Sequence, residues 1–228
     1  YPMARRIFLT CFVLLLLSAV LGSLIYRSIV IGPAFYREMM LEADEKLKSA
    51  GDSLEEKSLG LHNVAVREDK WSVEFTQSEI NGWLGSHLPQ QYPRQTPKNA
   101  SGIRIRLQNE GKCQVVFRLQ QGWIHGVISI HLEVFMISNS EQLGIRIEQA
   151  KMGWLPIPIN RLIDQFNDLA QKADINLVWT QQNDAPTALL TPKFDLKENI
   201  GRRVTLQRLL INKEKLVLSG TASASAVE

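Results

Sequence analysis

The run Ile7–Tyr26, IFLTCFVLLLLSAVLGSLIY, constrains this chain more than any other stretch. It lies between Arg6 and Arg27 and carries no charge. About 20 apolar residues is the length at which an α-helix crosses ~30 Å of hydrocarbon. A helix also satisfies every backbone N–H and C=O inside one segment, as that solvent demands. The expectation is an uncleaved transmembrane signal anchor over residues 7–31. A cleaved signal peptide competes with it, because a basic segment precedes an apolar one. The apolar run, however, is longer than the usual ~7–15 residues, and no A-x-A site follows it. Arg5 and Arg6 sit on a short tail, residues 1–6, with no acid near them. Basic residues close to a span favour the cytoplasmic side. The expected location is therefore a bacterial cytoplasmic membrane, single-pass, with the N-terminus cytoplasmic and the C-terminal domain extracytoplasmic.

Roughly 200 residues follow the span, enough for one full hydrophobic core. The net charge of +3 is small and dispersed, unlike the concentrated basic stripe of a nucleic-acid binder, so no nucleic-acid partner is expected. Cys11 lies in the span and Cys113 stands alone beyond it, which leaves no pair for a disulfide in the outer part. Gly-x-Ser-x-Gly, His-Glu-x-x-His, P-loop and Cys-x-x-Cys patterns are absent from the sequence, and these are the signatures that carry nucleophile, zinc or phosphate chemistry. Of the four histidines, His62, His87, His125 and His131, the last two share a strand face. Six residues of strand hold them about 20 Å apart, too far for one metal ion. Asp164 and Asp168 are spaced i,i+4 and read as the wet face of a helix. The expectation is a non-enzymatic protein with no catalytic residue, metal or cofactor.

Along the chain, Pro33–Ser49 reads as a juxtamembrane helix with Ala34, Phe35, Met39, Leu41 and Leu47 on its apolar side, ended by Gly51. Residues 32–58 form this helix and linker. Leu61–Val66 and Trp71–Phe75 read as short strands. Thr76-Gln77-Ser78-Glu79 is a capping box opening a helix that stops before Pro89. Four alternating segments then follow over short turns: one around Ile103–Leu107, one around Val115–Leu119, a long one over Trp123–Ile137, and one around Leu143–Ile147. This period-two pattern predicts an antiparallel meander with one greasy face and one polar face. The Leu-Pro-Ile-Pro element after Trp154 interrupts it, and an amphipathic helix follows with Leu162, Ile163, Phe166, Leu169, Ala170 and Ala173 in one stripe. Strands around Leu177, Ala188–Leu190, Val204–Ile211 and Leu216–Gly220 close the domain, assigned to residues 59–221, and residues 222–228 read as a flexible tail. The predicted fold class is α+β: an N-terminal transmembrane helix followed by a curved antiparallel β-sheet packed on two amphipathic helices.

Three stretches in this order, FTQSEINGWLGSHL (75–88), LGIRIEQAKMGWLPIPINRLIDQF (143–166) and VTLQRLLINKEKLVLS (204–219), resemble the YpmS-like family of bacterial membrane-anchored proteins. That resemblance implies an N-terminal anchor and an outer domain of unknown function, with no catalytic residue to carry over. A weaker likeness, at fold level, is to proteins in which a long bent sheet wraps a helix and holds lipid in an apolar groove. Two readings of the apolar face stay open. One is a closed core; the other is a groove lined by Trp83, Phe117, Ile130, Leu132, Val134, Trp154, Leu155 and Phe166, with Trp154–Ile159 as its mouth or lid. The expected partners are the lipid bilayer, a lipid ligand and other membrane protein subunits. Lipid or apolar-ligand binding is the first functional expectation, and an accessory or scaffold subunit of a larger membrane protein complex is the second.

Overall fold

The capping box at Thr76 is in place. In the computed structural model, the Thr76 hydroxyl accepts from the Glu79 N–H at 3.2 Å, while the Glu79 carboxylate accepts from the Thr76 N–H at 2.8 Å. The model describes residues 18–24, 26–27, 29–67, 69–93, 96, 99–122, 124–138, 140–182, 185–192 and 202–224. The chain is α+β, and its strands pair antiparallel. Most of the predicted span lies outside the described residues. From residue 18 to residue 31 the described positions are helical. Among the described residues no helix is long and apolar enough to cross a membrane.

One juxtamembrane helix, Pro33–Ser49, and a short strand, Leu61–Val66, were expected between the span and Trp71, but the chain does otherwise. A six-residue helix α1 (Ala34–Met39) breaks off, and a 24-residue helix α2 (Asp44–Arg67) follows it. Gly51 does not end a helix; it sits inside α2, at the point where Gly82 of the next helix presses against it. A Cβ on Gly82 would lie 2.5 Å from the Gly51 backbone nitrogen. Leu61–Val66 is not a strand either. Leu61 and Val64 lie on one side of α2, three residues apart, and both pack against the cluster of Trp71 and Leu206. Helical spacing with a tertiary partner outweighs the modest β preference of the segment. The boundary drawn between residues 58 and 59 thus falls within a continuous helix.

Helix α3 (Gln77–Gly82) continues through a π-helical turn, Trp83–His87, into the short α4 (Leu88–Gln91). The meander is as predicted: β2 (Ala100–Leu107), β3 (Lys112–Gln121), β4 (Ile124–Met136, 13 residues) and β5 (Leu143–Met152). Beyond β5 come a two-residue strand β6 (Leu155–Pro156), helix α5 (Ile159–Lys172), β7 (Val178–Gln182) and β8 (Ala185–Leu190). The large sheet runs β2-β3-β4-β5-β8-β7, with β6 paired to β5. A second sheet, β1-β10-β9, comprises β1 (Lys70–Thr76), β9 (Arg202–Asn212) and β10 (Lys215–Ala224). The predicted tail therefore starts too early. Residues 222–224 belong to β10, and Ala222 is buried, opposite Val204. A small side chain lets β10 extend to that point under its neighbours.

The inner face of the large sheet carries two apolar clusters among the described residues. Ile128, Ile130, Ile147 and Ala150 meet Leu162 of α5, and Phe117, Leu132 and Phe166 close around them. Further along, Leu107 and Cys113 meet Ile211 of the small sheet and Ile80 of α3. The edge strand β2 is not left open. The Asn81 side-chain amide accepts from the Ile105 N–H at 2.6 Å and donates to its carbonyl at 2.9 Å, and Gln77 accepts from the Leu107 N–H at 2.7 Å. Side chains of α3 thus occupy the backbone groups that would otherwise invite a foreign strand.

Candidate functional site

The outer face of the sheet is not simply the polar face that alternation predicts. Tyr36 of α1, 1% exposed, lies over Val116 and Val127, flanked by Phe35 and Met40. Its hydroxyl donates to the Gly102 carbonyl at 2.8 Å, and burial raises its pKa above the ordinary tyrosine value, partly offset by Arg118 and Arg104. The N-terminal helix also reaches this strand, where Leu24, Arg27 and Ile31 line one cleft with Val127, Ser129 and His131. Gly32 takes φ +67° and, with Pro33, ends that helix against Val127. The described helix end and the outer sheet face leave a cleft of about 430 Å³ between them. That volume is within the range of small-molecule sites.

The floor of the cleft is polar. Gln114 donates to the Ser129 hydroxyl at 2.6 Å, and both side chains are buried. Its walls carry Arg27 from the N-terminal helix, His131 from β4 and Lys151 from β5. Among the described residues no acid lines it. Its rim is apolar, with Leu24 and Ile31 on one side and Trp154 on the other. His131 is held below the ordinary imidazole value, first by burial and then by Lys151, with Glu148 opposing. Glu148 itself is paired to Lys112 at 3.2 Å. The imidazole is therefore kept neutral near pH 7, able to donate from one nitrogen and accept at the other.

Lys151 reaches this face because of a β-bulge. Ile130 pairs with Ala150, and Leu132 pairs with Ile147, so two residues of β5 lie between pairs that are two apart on β4. The extra residue shifts the alternation. Ile145 and Ile147 point inward on one side of the bulge, and Ala150 and Met152 do so on the other, packed against the inner core. Lys151 consequently points outward. A bulge beside a site is a common way to re-aim a side chain. Nothing in a single sequence marks it, which is why no site joining His131 to Lys151 was expected.

The eight residues expected to line one apolar groove fall in different parts of the fold. Phe117, Ile130, Leu132 and Phe166 are part of the dry core beneath α5. Val134 belongs to the adjoining core with Leu107 and Cys113. Trp83 stacks obliquely on Tyr92, centroids 5.9 Å apart. Trp154 and Leu155 are exposed, by 69% and 44%, and Trp154 sits at the rim of the outer cleft. His125 is exposed near the end of β4; Asp164 and Asp168 are exposed on α5. The side chain of His62 falls outside the described residues.

One further cluster has the composition of a hydrolytic triad. His87 Nε2 lies 2.9 Å from Asp52 Oδ1, and Ser86 Oγ lies 2.7 Å from His87 Nδ1. The serine, however, precedes the histidine in one helical turn and its hydroxyl also lies 2.7 Å from the Gly82 carbonyl. The imidazole fills the space opposite Gly51, where a Cβ would come within 2.4 Å of Nδ1. The arrangement latches the π-turn to α2 and aims no nucleophile at a cavity. Cys113 is buried in the inner core, which pushes its thiol up to about 12 and keeps it protonated. Among the described residues no group of three metal-ligating side chains converges. Comparison with protein-family models, curated proteins and solved structures finds no significant match.

Proposed function

We propose that the chain is a membrane-tethered, extracytoplasmic binding protein without catalytic chemistry, whose body rests against the bilayer and takes an amphipathic ligand. The observation that carries this is the position of Trp154. This exposed indole lines one cleft together with Leu24 and Ile31 of the N-terminal helix. Tryptophan at such a place suits the headgroup layer, with its ring in the apolar boundary and its N–H in water. The dry inner core speaks against ligand uptake beneath α5, and the outer cleft takes over that role.

Alkaline carbonate extraction of cells making the full chain, followed by protease treatment of intact spheroplasts, tests the reading. The expected result is a chain retained in the membrane pellet and digested from outside down to a small fragment. Release by carbonate, or full protection from the protease, overturns it.

A further inference from the structure

We infer that the outer cleft is a site for a phosphate-bearing, anionic lipid headgroup, with the acyl chains leaving over Leu24, Ile31 and Trp154. This rests on the tether proposed above and assigns the cleft's ligand. The argument is one of charge and of layout. The two permanent charges among the lining residues, Arg27 and Lys151, are both positive, and they come from different elements. No carboxylate lines the cleft among the described residues, so an arriving anion would meet two cations that are not already spent on one. Cations that bracket one space bind phosphate as charge-assisted donors, each worth more than a neutral contact. The floor adds neutral groups that suit the same oxygens. The Ser129 hydroxyl accepts from Gln114 and keeps its own hydrogen to donate, and the His131 ring offers another N–H.

The layout distinguishes a lipid from a free anion. A site for inorganic phosphate has no use for an apolar exit. Here one rim is aliphatic and the other is an exposed indole, and the aliphatic rim is the continuation of the apolar run itself. A ligand with its polar end on Lys151 and Arg27 has its tail directed over Leu24, Ile31 and Trp154. Zwitterionic headgroups fit less well, because their own ammonium would meet the two cations.

The test uses the full chain in detergent micelles, incubated with equal amounts of phosphatidylglycerol and phosphatidylcholine of the same acyl chains and read by native mass spectrometry. The expected result is one phosphatidylglycerol retained in preference to phosphatidylcholine. Arg27→Glu together with Lys151→Glu lowers that retention by about tenfold or more, the scale of one lost charge-assisted contact. Lys213→Glu, a charge reversal in the exposed β9–β10 turn, leaves it unchanged. Lys151→Gln carries the same expectation at smaller size if the double reversal does not fold. Equal retention of the two lipids, or wild-type retention by the charge-reversed chain, overturns the assignment. So does binding of inorganic phosphate, followed by phosphorus NMR line width, at the affinity found for the lipid. A chain that stays in the carbonate-washed membrane but shows no preference loses this assignment alone. A chain absent from that membrane loses the tether, and the assignment goes with it.

Discussion

The inner and outer faces of the large sheet are made by the same strands and are covered in different ways. The inner face is roofed by α5, α3 and the second sheet, and its buried side chains are almost all aliphatic. The outer face is roofed by one turn of helix and the end of another, and it buries Tyr36, Arg104, Gln114 and Ser129 alongside Val116 and Val127. A dry, continuous cover gives stability. A partial cover over polar groups leaves room for a ligand and costs stability, since buried polar groups must find partners. Binding and folding are thus assigned to opposite sides of one sheet.

Four substitutions sharpen or break that division. The largest effect belongs inside: Ile147→Ala, under α5, should cost about 2–5 kcal/mol in chemical denaturation through lost burial and a residual cavity. It should leave the phosphatidylglycerol preference of the folded fraction unchanged; a lost preference would mean the faces are not separate.

Next comes Glu79, which anchors the helix that covers the inner face. Burial alone would raise its carboxyl. Lys57, the Thr76 N–H and the Ser53 hydroxyl outweigh that and hold it at about 2. Because the folded value lies below the ordinary 4.5, the carboxylate contributes fully above about pH 4.5 and its contribution fades as pH falls toward 2. Glu79→Gln should cost about 1–3 kcal/mol at neutral pH. Melting curves of the variant and the parent should draw together as the solution is acidified below pH 4.5; a constant gap would sink the assignment.

Tyr36→Phe, on the outer side, removes only the bond to Gly102 and should cost about 1 kcal/mol, seen in the same denaturation series. A loss as large as that of Ile147→Ala would show the outer cover to be as tightly built as the inner one. The smallest stability effect is expected of Trp154→Ala, within about 0.5 kcal/mol. Its signature lies elsewhere: in full chain reconstituted with brominated lipid, the quenchable share of tryptophan fluorescence should fall. Unaltered quenching would move Trp154 away from the bilayer.

The legible parts of the molecule were those written in local pattern. The Thr76 cap, the four meander strands, the stripe of α5 and the β9–β10 hairpin all follow from spacing within a dozen residues. What stayed hidden was set by distant partners. Leu41, counted on the apolar side of the juxtamembrane helix, is 85% exposed, while Tyr36, left out of that side, is its most buried member. Only the position of Val127, some ninety residues on, decides between them. Leu61–Val66 looked extended until Trp71 and Leu206 gave one side of a helix something to cover. The candidate site fared worst. Trp154 was picked out, but its place at the outer cleft was not, because alternation tells which residues share a face and not what lies above it.

The extra residue in β5 has a final consequence. Along a strand, inside and outside are kept apart by counting, and here the count is deliberately broken once between Ile147 and Ala150. Remove a single amino acid from that interval and the strand must choose: either the isoleucines stay in and Lys151 is driven into hydrocarbon, or the lysine stays out and the isoleucines turn toward water. Neither choice can be mended by a compensating side chain elsewhere. Substitution at this point can be tolerated where shortening cannot, so the spacing itself, more than the identity of any residue within it, is what ties a charged pocket to a greasy interior.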